Sequence, residues 1–77
     1  MNYAELYAAV TERLNVVADH SLREKDPAAH LEKLKAAAFR LDGLVANLPA
    51  NADPQLRHFL ERQSFIKAQD WLAERIK

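Results

Sequence analysis

The sequence contains no cysteine, one glycine and three prolines among its 77 residues. Without cysteine, neither a disulfide framework nor a thiolate metal site can stabilise so short a chain. A single glycine also leaves no glycine-rich loop to cradle a phosphate. The scarcity of turn-forming residues argues against an all-β fold, whose short strands are joined by many Gly- and Pro-containing turns. We therefore expect one domain made of helices with few turns.

The sequence also has no excess of positive or negative charge, because eleven Lys and Arg residues balance eleven Asp and Glu residues. A net charge of zero argues against a general affinity for DNA, RNA or anionic lipid, since phosphate electrostatics dominate those contacts. No apolar run approaches the roughly 20 residues that span a bilayer. The first residues also lack a basic stretch followed by an apolar core. These features predict a cytoplasmic protein with no membrane segment.

Two Asp-Pro pairs, Asp26-Pro27 and Asp53-Pro54, divide the chain into three segments of similar length. Proline suits the first position of a helix, and it forces the residue before it into extended backbone. An aspartate in that place is an N-cap, because its carboxylate accepts hydrogen bonds from the first turn. Each pair therefore marks the start of a helix.

Apolar residues recur every three or four positions in the first two segments, as on one face of a helix. This spacing predicts helices over residues 2–24 and 27–47, the second ending before Pro49. Together they form an antiparallel hairpin with its turn near residues 24–27. The predicted stripes consist of Tyr3, Tyr7, Val10, Leu14 and Val17 in the first segment and Leu31, Leu34, Ala38, Leu41, Val45 and Leu48 in the second.

The third segment carries two stripes that would lie on nearly opposite sides of one straight helix. They consist of Leu56, Phe59 and Leu60, and then Phe65, Ala68, Leu72 and Ile76. We favour a helix over residues 54–62, a kink or turn between Arg62 and Ser64, and a helix over residues 65–76 with Ser64 as its N-cap. The alternative is one continuous helix with a partner on each side. The expected fold is an all-α helical bundle.

The sequence suggests no catalytic, cofactor-binding or metal-binding residue. No histidine has a carboxylate three positions before it, so the Glu-x-x-His pattern of helical metal sites is absent. Ser21 and Ser64 lie at predicted helix boundaries, where serine usually caps. A bundle of this size also offers little room for a closed pocket. We therefore expect no enzymatic activity, cofactor or small-molecule substrate.

Two large aromatic residues, Phe39 and Trp71, lie outside the simple stripes. Such rings imply a further packed layer, formed either by the third segment or by a second chain, and aromatic residues are enriched at the centres of interfaces. For Trp71 we favour the internal core, whereas for Phe39 both readings stay open. Both residues are candidate interface positions.

The leading functional hypothesis is a small adaptor or regulatory protein–protein interaction module. It would form a homodimer or bind a partner helix through an apolar groove. The alternative is a regulatory nucleic-acid-binding protein that uses Arg57, Arg62 and Lys67, which are interleaved with two phenylalanines. Glu61 lies inside that basic cluster and weakens the alternative.

Overall fold

The computed structural model of the chain describes residues 3–76 and shows an all-α bundle. Its helices are α1 (Tyr3–Ala18), α2 (His20–Lys25), α3 (Pro27–Ala46), α4 (Pro54–Glu61) and α5 (Phe65–Arg75). Helices α1 and α3 pack as an antiparallel hairpin, α5 packs against α1, and α4 packs against α5. The antiparallel direction of the hairpin is visible in its cross-links, because Glu12 pairs with Arg40 while the later residue Val16 meets the earlier residue His30.

Both Asp-Pro pairs begin helices in the way that their chemistry predicts. The Asp26 carboxylate accepts a hydrogen bond from the Ala29 N–H at 3.1 Å, and the Asp53 carboxylate accepts one from the Gln55 N–H at 2.8 Å. A proline follows each aspartate in the first turn of α3 and of α4. The prolines cost no hydrogen bond there, since the first N–H groups of a helix have no intrahelical partner.

The first segment differs from the single helix predicted over residues 2–24, of which residue 2 lies outside the described part of the chain. At Asp19 the backbone leaves helical geometry with ψ 76°, and a new helix, α2, begins. The Asp19 N–H donates to the Val16 carbonyl at 3.2 Å, and the Asp19 carboxylate accepts from the Leu22 N–H at 3.1 Å. An aspartate inside a helical pattern can break it this way, because its side chain competes for backbone donors.

The turn between α4 and α5 is a Schellman motif. The Ser64 N–H donates to the Phe59 carbonyl at 2.8 Å, and the Gln63 N–H donates to the Leu60 carbonyl at 3.2 Å. Gln63 has φ 57°, in the left-handed region that usually requires glycine. The break predicted between Arg62 and Ser64 is confirmed, and the continuous-helix alternative is wrong. Ser64 occupies the N-cap position of α5, but its side chain makes no capping bond.

Replacing Gln63 by glycine should therefore stabilise the protein. A side chain in left-handed backbone costs about 1 kcal/mol or more, and the glycine removes that cost at the expense of a more flexible unfolded chain. We expect Gln63→Gly to raise the free energy of unfolding by about 0.5 kcal/mol, measured by urea denaturation. Gln63→Ala keeps the Cβ and should leave it unchanged. Equal effects of the two substitutions would show that the side chain, and not the backbone, sets the stability of this turn.

The hydrophobic core lies at one end of the hairpin. Its buried members come from four of the helices: Leu6, Ala9, Val10, Leu41, Leu56, Leu60, Ala68, Trp71 and Leu72. No residue in positions 11–36 is buried, although this stretch contains the end of α1, all of α2 and the first half of α3. We call residues 11–36 the arm. The molecule is accordingly elongated, with principal extents of 42 × 22 × 20 Å.

Candidate interaction surfaces

The arm exposes apolar side chains along the face that is buried at the core end. Val17 is 51% exposed and Leu31 is 48% exposed, although both continue the predicted stripes. Val10, two helical turns before Val17 on the same face of α1, is completely buried. The contrast arises because α4 and α5 cover only the core end of the hairpin.

Arg13 and Phe65 lie at the point along α1 where α5 no longer covers it. Phe65 is the first residue of α5, and the Arg13 guanidinium lies 5.0 Å from the centroid of its ring. Further along the pair, the Gln69 amide donates to the Thr11 hydroxyl at 2.9 Å. Helix α5 thus runs antiparallel to α1 and begins near Arg13, so that Val17, one turn further along α1, has no α5 residue above it.

A notch of about 310 Å³ opens where α5 begins. It is lined by Leu14 of α1, by Gln63 and Ser64 of the turn, and by Phe65, Ile66 and Lys67 of α5. Ile66 is 67% exposed. The notch is therefore continuous with the uncovered apolar face of the arm through Leu14, which is half-buried one turn before Val17.

A second apolar surface lies on the opposite side of α3. Phe39 is 83% exposed, the highest value among the large hydrophobic residues that the structure describes as exposed. Ala36, Gly43 and Ala46 are also exposed and lie on the same side of α3 as Phe39, at helical spacing. A Cβ added to Gly43 would meet nothing within 4 Å. We call these four residues the outer face. It consists of the exposed Phe39 ring beside a flat stretch of helix with small side chains.

Trp71, the other candidate interface residue, lies in the chain's own core and is 8% exposed. Its ring makes an edge-to-face contact with Tyr3, with centroids 5.5 Å apart and an interplanar angle of 88°. The Arg75 guanidinium lies 4.1 Å from the ring centroid and shields it from solvent. The indole N–H has no hydrogen-bond acceptor among the described residues.

The three basic residues of the nucleic-acid alternative do not share one role. The Arg57 guanidinium donates to the Pro49 carbonyl at 2.7 Å, and this bond holds the loop before α4 against the helix. Arg62 caps the C-terminal end of α4, and Lys67 lies exposed in the first turn of α5. The turn thus brings Arg62 and Lys67 to the same end of the α4–α5 pair. The guanidinium of Arg57 instead stabilises the loop before α4.

A second concavity, of about 560 Å³, runs over α1 on the side that faces α3. The ion pair between Arg40 and Glu12, 2.9 Å apart, borders it, and both side chains are about half exposed, at 46% and 47%. An exposed pair of this kind contributes on the order of 0.5 kcal/mol to stability. Nearby, His30 Nε2 donates to the Val16 carbonyl at 2.8 Å. The contacts of this region tie α1 to α3.

Residues 3–76 contain no group of three or more His, Asp or Glu residues placed to hold a metal ion. None of the helices in this part of the chain combines the length and the apolar character needed to cross a membrane.

Sequence reasoning placed Val17 and Leu31 on the packed stripes and did not identify the uncovered face of the arm. The stripe pattern shows which side of a helix is apolar, but it does not show how far a neighbouring helix extends along it. The only available signal was the predicted break in the third segment, which divides it into two helices of 8 and 11 residues against 16 and 20 for α1 and α3.

No protein family matches the chain, and searches of curated proteins and of solved structures find no significant similarity.

Proposed function

We propose that the chain is a small protein–protein interaction module that forms a homodimer through the outer face of α3. The observation that carries this proposal is the exposure of Phe39. Burial of such a ring is worth about 1.5–3 kcal/mol, so each copy gains by covering it. The same proposal assigns it to the cytoplasm, which suits a chain with no cysteine.

The spacing of the outer face supports a helix as the covering element. Ala36, Phe39, Gly43 and Ala46 follow steps of three, four and three, which is the seam pattern of paired helices. In an antiparallel pair of α3 helices, each Phe39 enters the space over Ala36 and Gly43 of the other copy. The missing Cβ of Gly43 lets the two backbones approach closely there. The contact is therefore self-complementary, as a twofold dimer requires.

The charges beside the outer face fit the same arrangement. Lys35 is exposed towards the start of α3, and Asp42 is exposed two turns later on the same side. An antiparallel twofold pair brings Lys35 of each copy towards Asp42 of the other. A parallel pair would instead place like charges side by side, which is unfavourable. Charge complementarity thus favours a second copy in the antiparallel direction.

Light scattering coupled to size exclusion tests this proposal. The wild-type chain should have twice the 8.8 kDa mass of one chain at about 100 µM. Phe39→Glu should give the single-chain mass with an unchanged helical circular dichroism spectrum, because the ring makes little contact within its own chain. Ile66→Glu is the matched control, since Ile66 is also exposed but lies on α5, and this variant should remain a dimer.

The charge pair adds a second test. Lys35→Glu should weaken the dimer about threefold to tenfold, and Lys35→Glu combined with Asp42→Lys should restore it. A single-chain mass for the wild type, or equal dissociation by Phe39→Glu and Ile66→Glu, would refute the dimer through the outer face.

A further inference from the structure

We propose that the arm carries a second docking site, which binds an acidic amphipathic helix of another protein. The site is the strip formed by Leu14, Val17, Leu31, Leu34 and Ile66. It lies apart from the outer face, and it does not depend on the dimer.

The strip lies on the same side of the hairpin as α4 and α5, which form a third layer over the core end. On α3, Leu34 and Leu31 precede the buried Leu41 along the same predicted stripe, by two turns and by nearly three. On α1, Leu14 and Val17 follow the buried Val10 in the same way. The strip thus continues the apolar face of the core into the arm, where no third helix covers it. It is not a set of isolated exposed residues.

The shape of the site selects a helix as its occupant. Two antiparallel helices form the floor, and the start of α5 with the turn before it closes one end at the 310 Å³ notch. A helix laid on this floor would extend the line of α5 past Ser64, where the chain itself turns back into α4. It would cover the strip in the way that α5 covers the core, by a helix in a groove with apolar anchors three and four residues apart.

The charges at the edge of the strip select an acidic partner. Lys67 lines the notch, and Arg13 lies at the start of α5, where its guanidinium contacts Phe65. The buried Arg13 Nε has no hydrogen-bond acceptor among the described residues. A helix with glutamates beside its apolar anchors supplies partners for these two cations.

Four of the five acidic residues of the arm are engaged elsewhere or lie away from this edge, and the fifth, Glu24, is exposed on α2. Glu12 is paired with Arg40 on the side of α1 that faces away from the strip, and Glu32 lies on the outer side of α3. The carboxylates of Asp19 and Asp26 accept hydrogen bonds from backbone N–H groups at the starts of α2 and α3.

A protein helix fits this surface better than a membrane does. Membrane-surface helices combine a broad convex apolar face with a strongly basic polar face. Here the strip ends in a concave notch, and the net charge of the whole chain is zero. Lipid binding is nevertheless a distinct outcome that the experiment below detects.

The probe is a synthetic helical peptide of about 14 residues with leucines at seam spacing and glutamates beside them. Its partner probe has lysine in place of every glutamate. Binding is followed by fluorescence anisotropy of the labelled peptide and by amide chemical shifts of the isotopically labelled full chain. The acidic peptide should bind at least about tenfold more tightly than the basic one, with shifts centred on Val17, Leu31 and Ile66.

Paired variants separate this site from the outer face. Val17→Glu should weaken binding of the acidic peptide at least about tenfold and leave the mass by light scattering unchanged. Phe39→Glu should change the mass and leave peptide binding unchanged. Both residues are exposed, so the fold is expected to survive each substitution, and thermal unfolding followed by circular dichroism checks that it does. Lys67→Glu should reduce the preference for the acidic over the basic peptide.

Three results would overturn the proposal. The first is that neither peptide shifts the Val17, Leu31 and Ile66 amides. The second is that both peptides bind equally, which would show apolar adhesion without charge recognition. The third is that vesicles of phosphatidylcholine with about one-fifth phosphatidylserine perturb these amides while the acidic peptide does not, which would make the strip a lipid-binding surface.

Discussion

Leu41→Ala is expected to destabilise the protein by about 3 kcal/mol, whereas Leu31→Ala should cost less than about 1 kcal/mol. Both leucines belong to the same predicted stripe of α3. Leu41 is 1% exposed and packs among residues of other helices, so its truncation leaves a cavity. Leu31 is half exposed on the arm, where water fills the space that its side chain leaves.

Urea denaturation followed by far-UV circular dichroism measures both values in parallel. The comparison is well matched, because residue type, helix and helix propensity are the same in the two variants. For a domain of this size, a loss of about 3 kcal/mol corresponds to a fall in melting temperature of more than about 10 °C. Equal losses at the two positions would mean that the arm is covered in the free protein. The docking proposal expects the arm to be covered only when a partner helix is bound.

The second large effect is expected at Trp71. Trp71→Ala removes a buried ring that contacts both Tyr3 and Arg75, and it should cost about 3–5 kcal/mol. The total stability of a chain of this length is on the order of 4–12 kcal/mol. We therefore expect Trp71→Ala to be partly unfolded at physiological temperature, as judged by its circular dichroism signal and broad thermal transition.

Trp71→Phe provides the control for this substitution. The phenylalanine ring preserves an edge-to-face partner for Tyr3, and no hydrogen bond is lost because the buried indole N–H has no acceptor among the described residues. The expected loss is about 1–2 kcal/mol, from the smaller ring alone. A loss as large as that of Trp71→Ala would indicate that the indole N–H is bonded in solution, for example to an ordered water.

Local chemistry accounts for the helix boundaries that the sequence predicted. Asp26 and Asp53 cap α3 and α4 because proline and aspartate act within a single turn. The break near Ser64 was visible because two apolar stripes on opposite faces cannot both pack in one straight helix on a single core. Asp19 shows the limit of this reasoning, since its side chain can either point to solvent or capture a backbone N–H, and the residues beside it do not distinguish these states.

The candidate surfaces were predictable only in part. Phe39 stood out because its position on α3 conflicts with the stripe, and this conflict depends on helical geometry alone. Trp71 showed the same kind of conflict, yet its ring lies in the core, because α5 packs against both α1 and α4 and two neighbouring helices bury a wider face than one. Sequence reasoning treated Val17 and Leu31 as core residues, although the neighbouring helix stops before reaching them.

Residue order alone specifies an all-α chain, the two Asp-Pro helix starts, the break in the third segment and the apolar side of each helix. These properties follow from interactions within one or two helical turns, which backbone sterics and side-chain periodicity determine. The assembled bundle alone reveals which part of each apolar side is covered. That depends on the lengths and directions of helices distant in sequence, and it leaves the Phe39 face and the strip of the arm open while it buries Trp71.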